Sequence, residues 1–145
     1  MSGWVEKRSP YPVPDTLDRL ENSLVERDCT VMARIDHAAN AAAVGMDLRP
    51  TQVLLFGKPR LGTRLMQAEQ TLGIDLPSKV LAWQDTSGEV RLGYRDLRAI
   101  VAKHDDLDNA KAAAEELASL IDQATDAAIA PPPSPPHPPG PAKPR

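Results

Sequence analysis

The sharpest change of pattern in this chain lies between Thr51 and Leu76. An apolar run, Val53-Leu54-Leu55-Phe56, ends in Gly57-Lys58-Pro59, and the apolar residues that follow are spaced as on a helix: Leu61, Leu65, Ala68 and Leu72, with Gly73 placed to end the run. Consecutive apolar residues that give way to helical spacing across a glycine and a proline predict a buried strand turning sharply into a helix. A strand apolar on both faces needs cover on each side, as a central strand has. This stretch therefore sets the frame into which the other segments must fit.

The other segments supply the partners. Trp4 to Arg8 predicts a first strand, ended by Pro10, Pro12 and Pro14. Asp15 suits an N-cap, and Leu17, Leu20 and Leu24 then form the stripe of an amphipathic helix. Thr30 to Asp36 alternates, with Val31, Ala33 and Ile35 on one side and Met32, Arg34 and Asp36 on the other. Asp36 can cap an alanine-rich helix from His37 to Val44, closed by Gly45. Ser78–Gln84 and Glu89–Tyr94, joined by Asp85-Thr86-Ser87-Gly88, predict an antiparallel hairpin. Asp96 caps a further helix in which Leu97, Ile100, Val101 and His104 share a face.

From Leu107 to Ala128 runs a longer helix, with a narrow stripe of Leu107, Ala110, Ala114, Leu117, Ile121, Ala124 and Ala128. Small residues allow close approach, and the stripe can pack on its own domain or on a second subunit; packing within the chain is the ordinary use of one apolar stripe. The last fifteen residues, 131–145, hold nine of the 15 prolines and form neither ladder nor helix, so an extended, disordered tail with polyproline character is expected. Such a tail either serves as a ligand for a proline-reading domain or acts as a solubilising extension. The expected organisation is an α+β domain over residues 1–106, an appended amphipathic helix over 107–130 and the tail over 131–145. The domain is expected to be a two-layer sandwich of helices on a mixed, mainly antiparallel sheet.

Composition narrows the function classes. Only 3% of residues are aromatic, which argues against a stacking platform for single-stranded nucleic acid. The net charge is −3, and because the tail carries Lys143 and Arg145 and no acid, the remainder stands at −5, a poor match for phosphate backbones. Cys29 is the single cysteine, so an intrachain disulfide and a multi-thiolate zinc site are excluded; it reads as a small core residue, with a reactive thiol as the alternative. Neither a signal core nor a run near the roughly 18 apolar residues of a membrane span is found, and a soluble cytoplasmic protein without a membrane partner is expected.

No catalytic constellation and no metal-ligand spacing stands out, and the sequence implies no particular cofactor. The candidate ligand-binding residues are Gly57, Lys58, Arg60 and Thr63: a helix start has unpaired N–H donors, and two cations and a hydroxyl stand beside it, so a phosphate or carboxylate can dock there. The turn lacks the glycine spacing of a P-loop or dinucleotide fingerprint, and proline in a first helical turn also has a purely structural role. His37 and His104 are the candidate acid–base residues, each also readable as a locally satisfied structural histidine. Asp75 reads as a loop-fixing residue, and Trp83 and Tyr94 as hairpin packing residues, Tyr94 with a hydroxyl that a ligand can use.

Taken together, Leu54-Leu55-Phe56-Gly57-Lys58-Pro59-Arg60-Leu61-Gly62-Thr63, then Leu65-Met66, Gly73-Ile74-Asp75-Leu76-Pro77-Ser78-Lys79-Val80-Leu81-Ala82-Trp83-Gln84-Asp85, Gly88, Tyr94 and Lys103-His104 resemble the bacterial and archaeal domain-of-unknown-function family 302. The resemblance covers about Trp4 to His104. It implies a small, self-associating α+β domain and no particular reaction. Where the family pattern carries Asn, this chain has Lys58, which trades an amide for a positive charge. The leading expectation is a non-catalytic module that binds a small anionic ligand or a partner, with a homodimer as its form. The alternatives are a small enzyme using His104 or His37 and a structural homo-oligomerisation unit built on the 107–128 stripe.

Overall fold

Leu54, Phe56, Val80, Ala82 and Leu92 are completely buried, and the alternation they set along their strands fixes which face of the sheet the helices cover. The structure, a computed structural model, describes residues 3–104, 108–132 and 140. Five strands, β1 (Trp4–Ser9), β2 (Thr30–Asp36), β3 (Thr51–Gly57), β4 (Ser78–Gln84) and β5 (Val90–Arg95), form one sheet in the order β1-β5-β4-β3-β2. Every pairing is antiparallel. Directions therefore alternate, with β1, β4 and β2 running one way and β5 and β3 the other, and α1 (Val13–Glu26) carries the chain from β1 at one edge to β2 at the other. With α3 (Pro59–Ala68), α4 (Leu97–Val101) and α5 (Asp108–Ala128), α1 builds the second layer of a two-layer α+β fold. The short α2 (His37–Ala43) links β2 to β3 and buries none of its residues.

α5 packs against α1, α3 and α4 and shares one continuous core with the sheet. Its buried surface is wider than the narrow stripe expected: Ala113, Ala118 and Thr125 join Ala110, Ala114, Leu117, Ile121, Ala124 and Ala128. A helix with neighbours on both flanks buries more than one ridge, and alanine at the flanking positions lets three helices approach it. The stripe is thus occupied within the chain. Leu107 and most of the proline-rich tail lie outside the described residues.

Polar contacts fasten the same helix to the β1–β5 edge. Lys7 donates to the Asp122 carbonyl at 3.1 Å, the Thr125 hydroxyl at 2.7 Å and the Asp126 carboxylate at 2.9 Å. The Tyr94 hydroxyl donates to Asp122 at 2.6 Å, and Arg98 bridges Asp122, Glu115 and Asp96. Burial pushes the Tyr94 phenol up, and its bond to Asp122 adds to the rise. Burial lowers the Lys7 amine, but hydrogen bonds to Asp126 and Tyr94 outweigh that and leave it raised.

Four local expectations are corrected. α1 starts at Val13 rather than after Asp15, because Pro14 falls in a first turn where its missing N–H costs nothing; Pro12 precedes the helix and Asp15 lies inside it. A register shift between Val31 and Ala33 breaks the alternation of β2 and puts Val31 on the side of Arg34, opposite Phe56. Arg34 then reaches under α1 to Asp18 and Glu21. β3 is fully buried only on its helix face, with Val53 and Leu55 half-buried on the other. α3 stops at Ala68 rather than at Gly73, because Glu69 is extended and caps a separate 3-10 turn, Gln70–Ile74, through the Thr71 amide.

Two outcomes follow from this packing. A chain ended at Asp106 loses the centre of its helical layer and should show no cooperative thermal unfolding by circular dichroism. Removal of a separable helix would instead leave the melting curve intact. The raised Lys7 and Tyr94 groups stabilise the fold at pH values below their unfolded-state pKa values, and that contribution disappears as pH rises through their folded values. Stability measured by urea unfolding should therefore fall above about pH 10, and the fall should be shallower in a Lys7→Met, Tyr94→Phe double variant.

Candidate functional site

The turn that follows β3 is held from below. Leu61 and Gly62 both donate their amides to the Lys58 carbonyl, and Pro59 has no N–H, so Arg60 keeps the remaining amide of the first turn of α3. Lys58 stands at the N-cap without a side-chain cap and sends its amine to the Arg27 carbonyl at 3.2 Å. This ties the turn to the end of α1. Cys29, buried nearby, has its thiol pushed up by burial, with Lys58 opposing the rise, so it is placed as a core residue.

Across from this turn, the 3-10 segment and the Leu76-Pro77-Ser78 entry to β4 form a second wall. Between the walls lies a cleft of about 310 Å³. Gly57, Lys58 and Thr63 line it from one side and Gly73, Leu76 and Ser78 from the other, with Leu117 of α5 also contributing. Met32 and Met66 complete an apolar lining in which, among the described residues, Lys58 is the single charged residue. Glycines shape the walls: a Cβ on Gly57 would touch Met32, one on Gly62 would meet Leu76, and one on Gly73 would come within 3.3 Å of the Met66 sulfur.

Of the four sequence-predicted ligand residues, Gly57, Lys58 and Thr63 thus line one cleft, whereas Arg60 is exposed outside its lining. The histidines do not join them. His37 is exposed at the start of α2, beyond Asp36, whereas the turn adjoins the opposite end of β2, where Thr30 pairs with Gly57. At the rise of a strand, the two ends of β2 are roughly 20 Å apart. α4 ends at Val101, so His104 lies past the helix rather than on its stripe, within electrostatic reach of Glu69 and outside the cleft lining. Tyr94 spends its hydroxyl on Asp122, and the Asp85 carboxylate accepts from Ser87, Glu89 and Arg91 within the hairpin turn, which pulls its pKa down. Among the described residues, no three His, Cys, Asp or Glu side chains group as metal ligands would.

Sequence reasoning did not single out Met32, Met66 and Leu76 as cleft residues. The first two looked like ordinary apolar positions on a strand and a helix, and only the bulge in β2 and the early end of α3 bring them here.

Comparison with known proteins agrees with this geometry at the level of fold. The chain superposes on the crystal structure of an uncharacterized conserved DUF302 protein from Bacillus stearothermophilus with a TM-score of 0.79 and 19% identity, covering 88% of this chain and 99% of that one. In sequence it is 39% identical over 103 residues to the fluoride-specific ion channel FluC 1 of Brucella suis and equally to that of Brucella abortus; this is 71% of the chain but 41% and 38% of those proteins. The chain thus spans about two fifths of the length of these relatives. No helix among the described residues is long and apolar enough to cross a membrane. The model of the domain of unknown function DUF302 matches residues 5–124, which takes in the sheet, both walls of the cleft and most of α5, and on this match the chain belongs to the DUF302 family.

Proposed function

We propose that this domain is a non-catalytic binding module and that the cleft between the Gly57–Thr63 turn and Leu76–Ser78 is its ligand seat. The observation that carries the reading is convergence: two stretches of the family pattern, separated in sequence, line the same cleft. At about 310 Å³ it is sized for a small molecule at the lower end of ligand pockets. An apolar lining with one amine favours a ligand that is mostly apolar and carries one negative group. Lys58 keeps N–H donors beyond the one it gives to Arg27. The α3 N-terminus adds little, since the Lys58 carbonyl takes two of its amides.

The names of the Brucella relatives give a context for such a module. In those proteins a segment like this one accounts for about two fifths of a channel chain, as expected of a sensing or interaction domain joined to a channel. The fluoride specificity in their names belongs to those proteins. The proposal places this domain in the cytoplasm, where a buried free thiol such as Cys29 stays reduced, with no role for nucleic acid.

A second reading is self-association through the β2–α2 side. α2 buries none of its residues, and Ile35, Val44, Met46 and Leu48 are exposed large apolar side chains on or beside the adjoining end of β2 and α2. Isolated helices this short are marginal in water, and a second copy packed on this side would supply the missing contacts. The described part of the 107–128 stripe, from Ala110 to Ala128, is already packed within the chain.

Octanoate, matched against octanol, tests the ligand reading. Octanoate should raise the melting temperature progressively, as the logarithm of its concentration once above its Kd, Lys58→Gln should abolish the rise, and Arg60→Ala should keep it. Equal shifts with octanol, or none with octanoate, would remove the anion from the proposal. For self-association, sedimentation equilibrium should give a dimer mass that Ile35→Lys with Met46→Glu reduces to a monomer; a monomer mass for the unaltered chain ends that reading.

A further inference from the structure

The sheet is not closed along its whole length. β4 stays paired with β3 as far as Phe56↔Ser78, and β5 stays paired with β1 as far as Trp4↔Arg95. Between themselves β4 and β5 pair only from Leu81↔Gly93 to Gln84↔Val90. Beyond Leu81 and Gly93 the two strands part. The edges of Ser78–Val80 and Tyr94–Arg95 that face each other therefore lack a ladder partner among the described residues. Main-chain groups in the middle of a sheet are ordinarily paired, so a parting here leaves donors and acceptors for something else to meet.

A cavity of about 290 Å³ lies in this gap. Its apolar wall includes Leu81 and Val53 on the open face and Leu97 and Ile100 on the helix side. Trp4 and Trp83, with ring centroids 6.1 Å apart, both lie over Gly93, where a Cβ would collide with both rings. Charges of both signs line the same cavity. Asp75 is half-buried and makes no hydrogen bond or ion pair through its carboxylate among the described residues. Among the described residues, the Lys79 amine meets the Pro77 carbonyl, at 3.3 Å, and the Arg95 guanidinium meets the Trp4 ring, 6.0 Å from its centroid, and neither has a carboxylate partner.

We propose that this gap is a second ligand site and that its ligand is a small zwitterion with an apolar side, in chemical class a free α-amino acid. Arg95 and Lys79 hold the carboxylate through charge-assisted hydrogen bonds. Asp75 holds the ammonium group, the unpaired strand edges supply further main-chain partners, and Leu81, Leu97 and Ile100 take the side chain. The volume admits a molecule of this size. The site shares Ser78 with the cleft at Lys58 but none of its charged residues, and among the described residues that cleft is lined by no acid.

Isothermal titration of the full chain with L-leucine, L-methionine and L-phenylalanine tests the proposal, with isopentylamine and 4-methylpentanoate as controls that each keep one charge of leucine. At least one amino acid should bind with saturable heat, and both controls should bind at least roughly tenfold more weakly. Asp75→Asn and Arg95→Gln should each cause a similar loss at an unchanged ligand-free melting temperature, while Lys58→Gln leaves amino-acid binding intact. A saturable signal with none of the amino acids overturns the proposal. So does binding of 4-methylpentanoate equal to that of leucine, or full affinity retained in Asp75→Asn.

Discussion

Everything in this fold rests on the small-residue face of α5. A five-stranded antiparallel sheet has one face to cover, and the cover here is a layer of helices that must meet around a central one. Ala110, Ala113, Ala114, Ala118, Ala124 and Ala128 keep that central helix thin, and Leu117 and Ile121 fill the space beneath it. Larger side chains at the flanking positions would push α1, α3 and α4 apart and cost about 1–3 kcal/mol each by overpacking. The Lys7, Tyr94 and Arg98 contacts then fix the helix in register over the β1–β5 edge, which apolar contact alone does not do, because burial has no direction.

Both candidate sites lie at the end of the sheet where β3 leaves, β4 enters and β5 leaves. Three chain reversals meet there, and the backbone cannot close all of them by strand pairing. One wall of the Lys58 cleft, Leu76 to Ser78, runs directly into the strand that parts from β5, and Ser78 lines both cavities. The opposite end of the sheet carries α2 and the exposed apolar residues around it, which separates the surface suited to a second copy from the cavities suited to small molecules.

The strands and helices were legible in the sequence because each carries its own periodicity. The leucines of α1, the consecutive apolar residues of β3 and the Asp85–Gly88 turn name their structures through local chemistry. The family pattern also marked the Gly57–Thr63 turn and the Asp75–Ser78 segment. The joining of Met32 and Met66 to them was not legible, because a bulge in β2 and a helix that stops a turn early depend on contacts from elsewhere in the fold. His104 misled for the same reason: its spacing from Leu97 and Val101 fits one helical face, but α4 ends before reaching it.

By itself the sequence determined the α+β class, the identity of the elements and the family resemblance, since patterns repeated every two or three to four residues are set by backbone geometry alone. Only the tertiary structure decided that α5 is central to the core, that Arg60 stands outside the cleft while Lys58 lines it, and that β4 and β5 part to leave a lined gap. Those outcomes depend on which distant surfaces meet, and a chain's local spacing holds no record of the neighbour across a sheet.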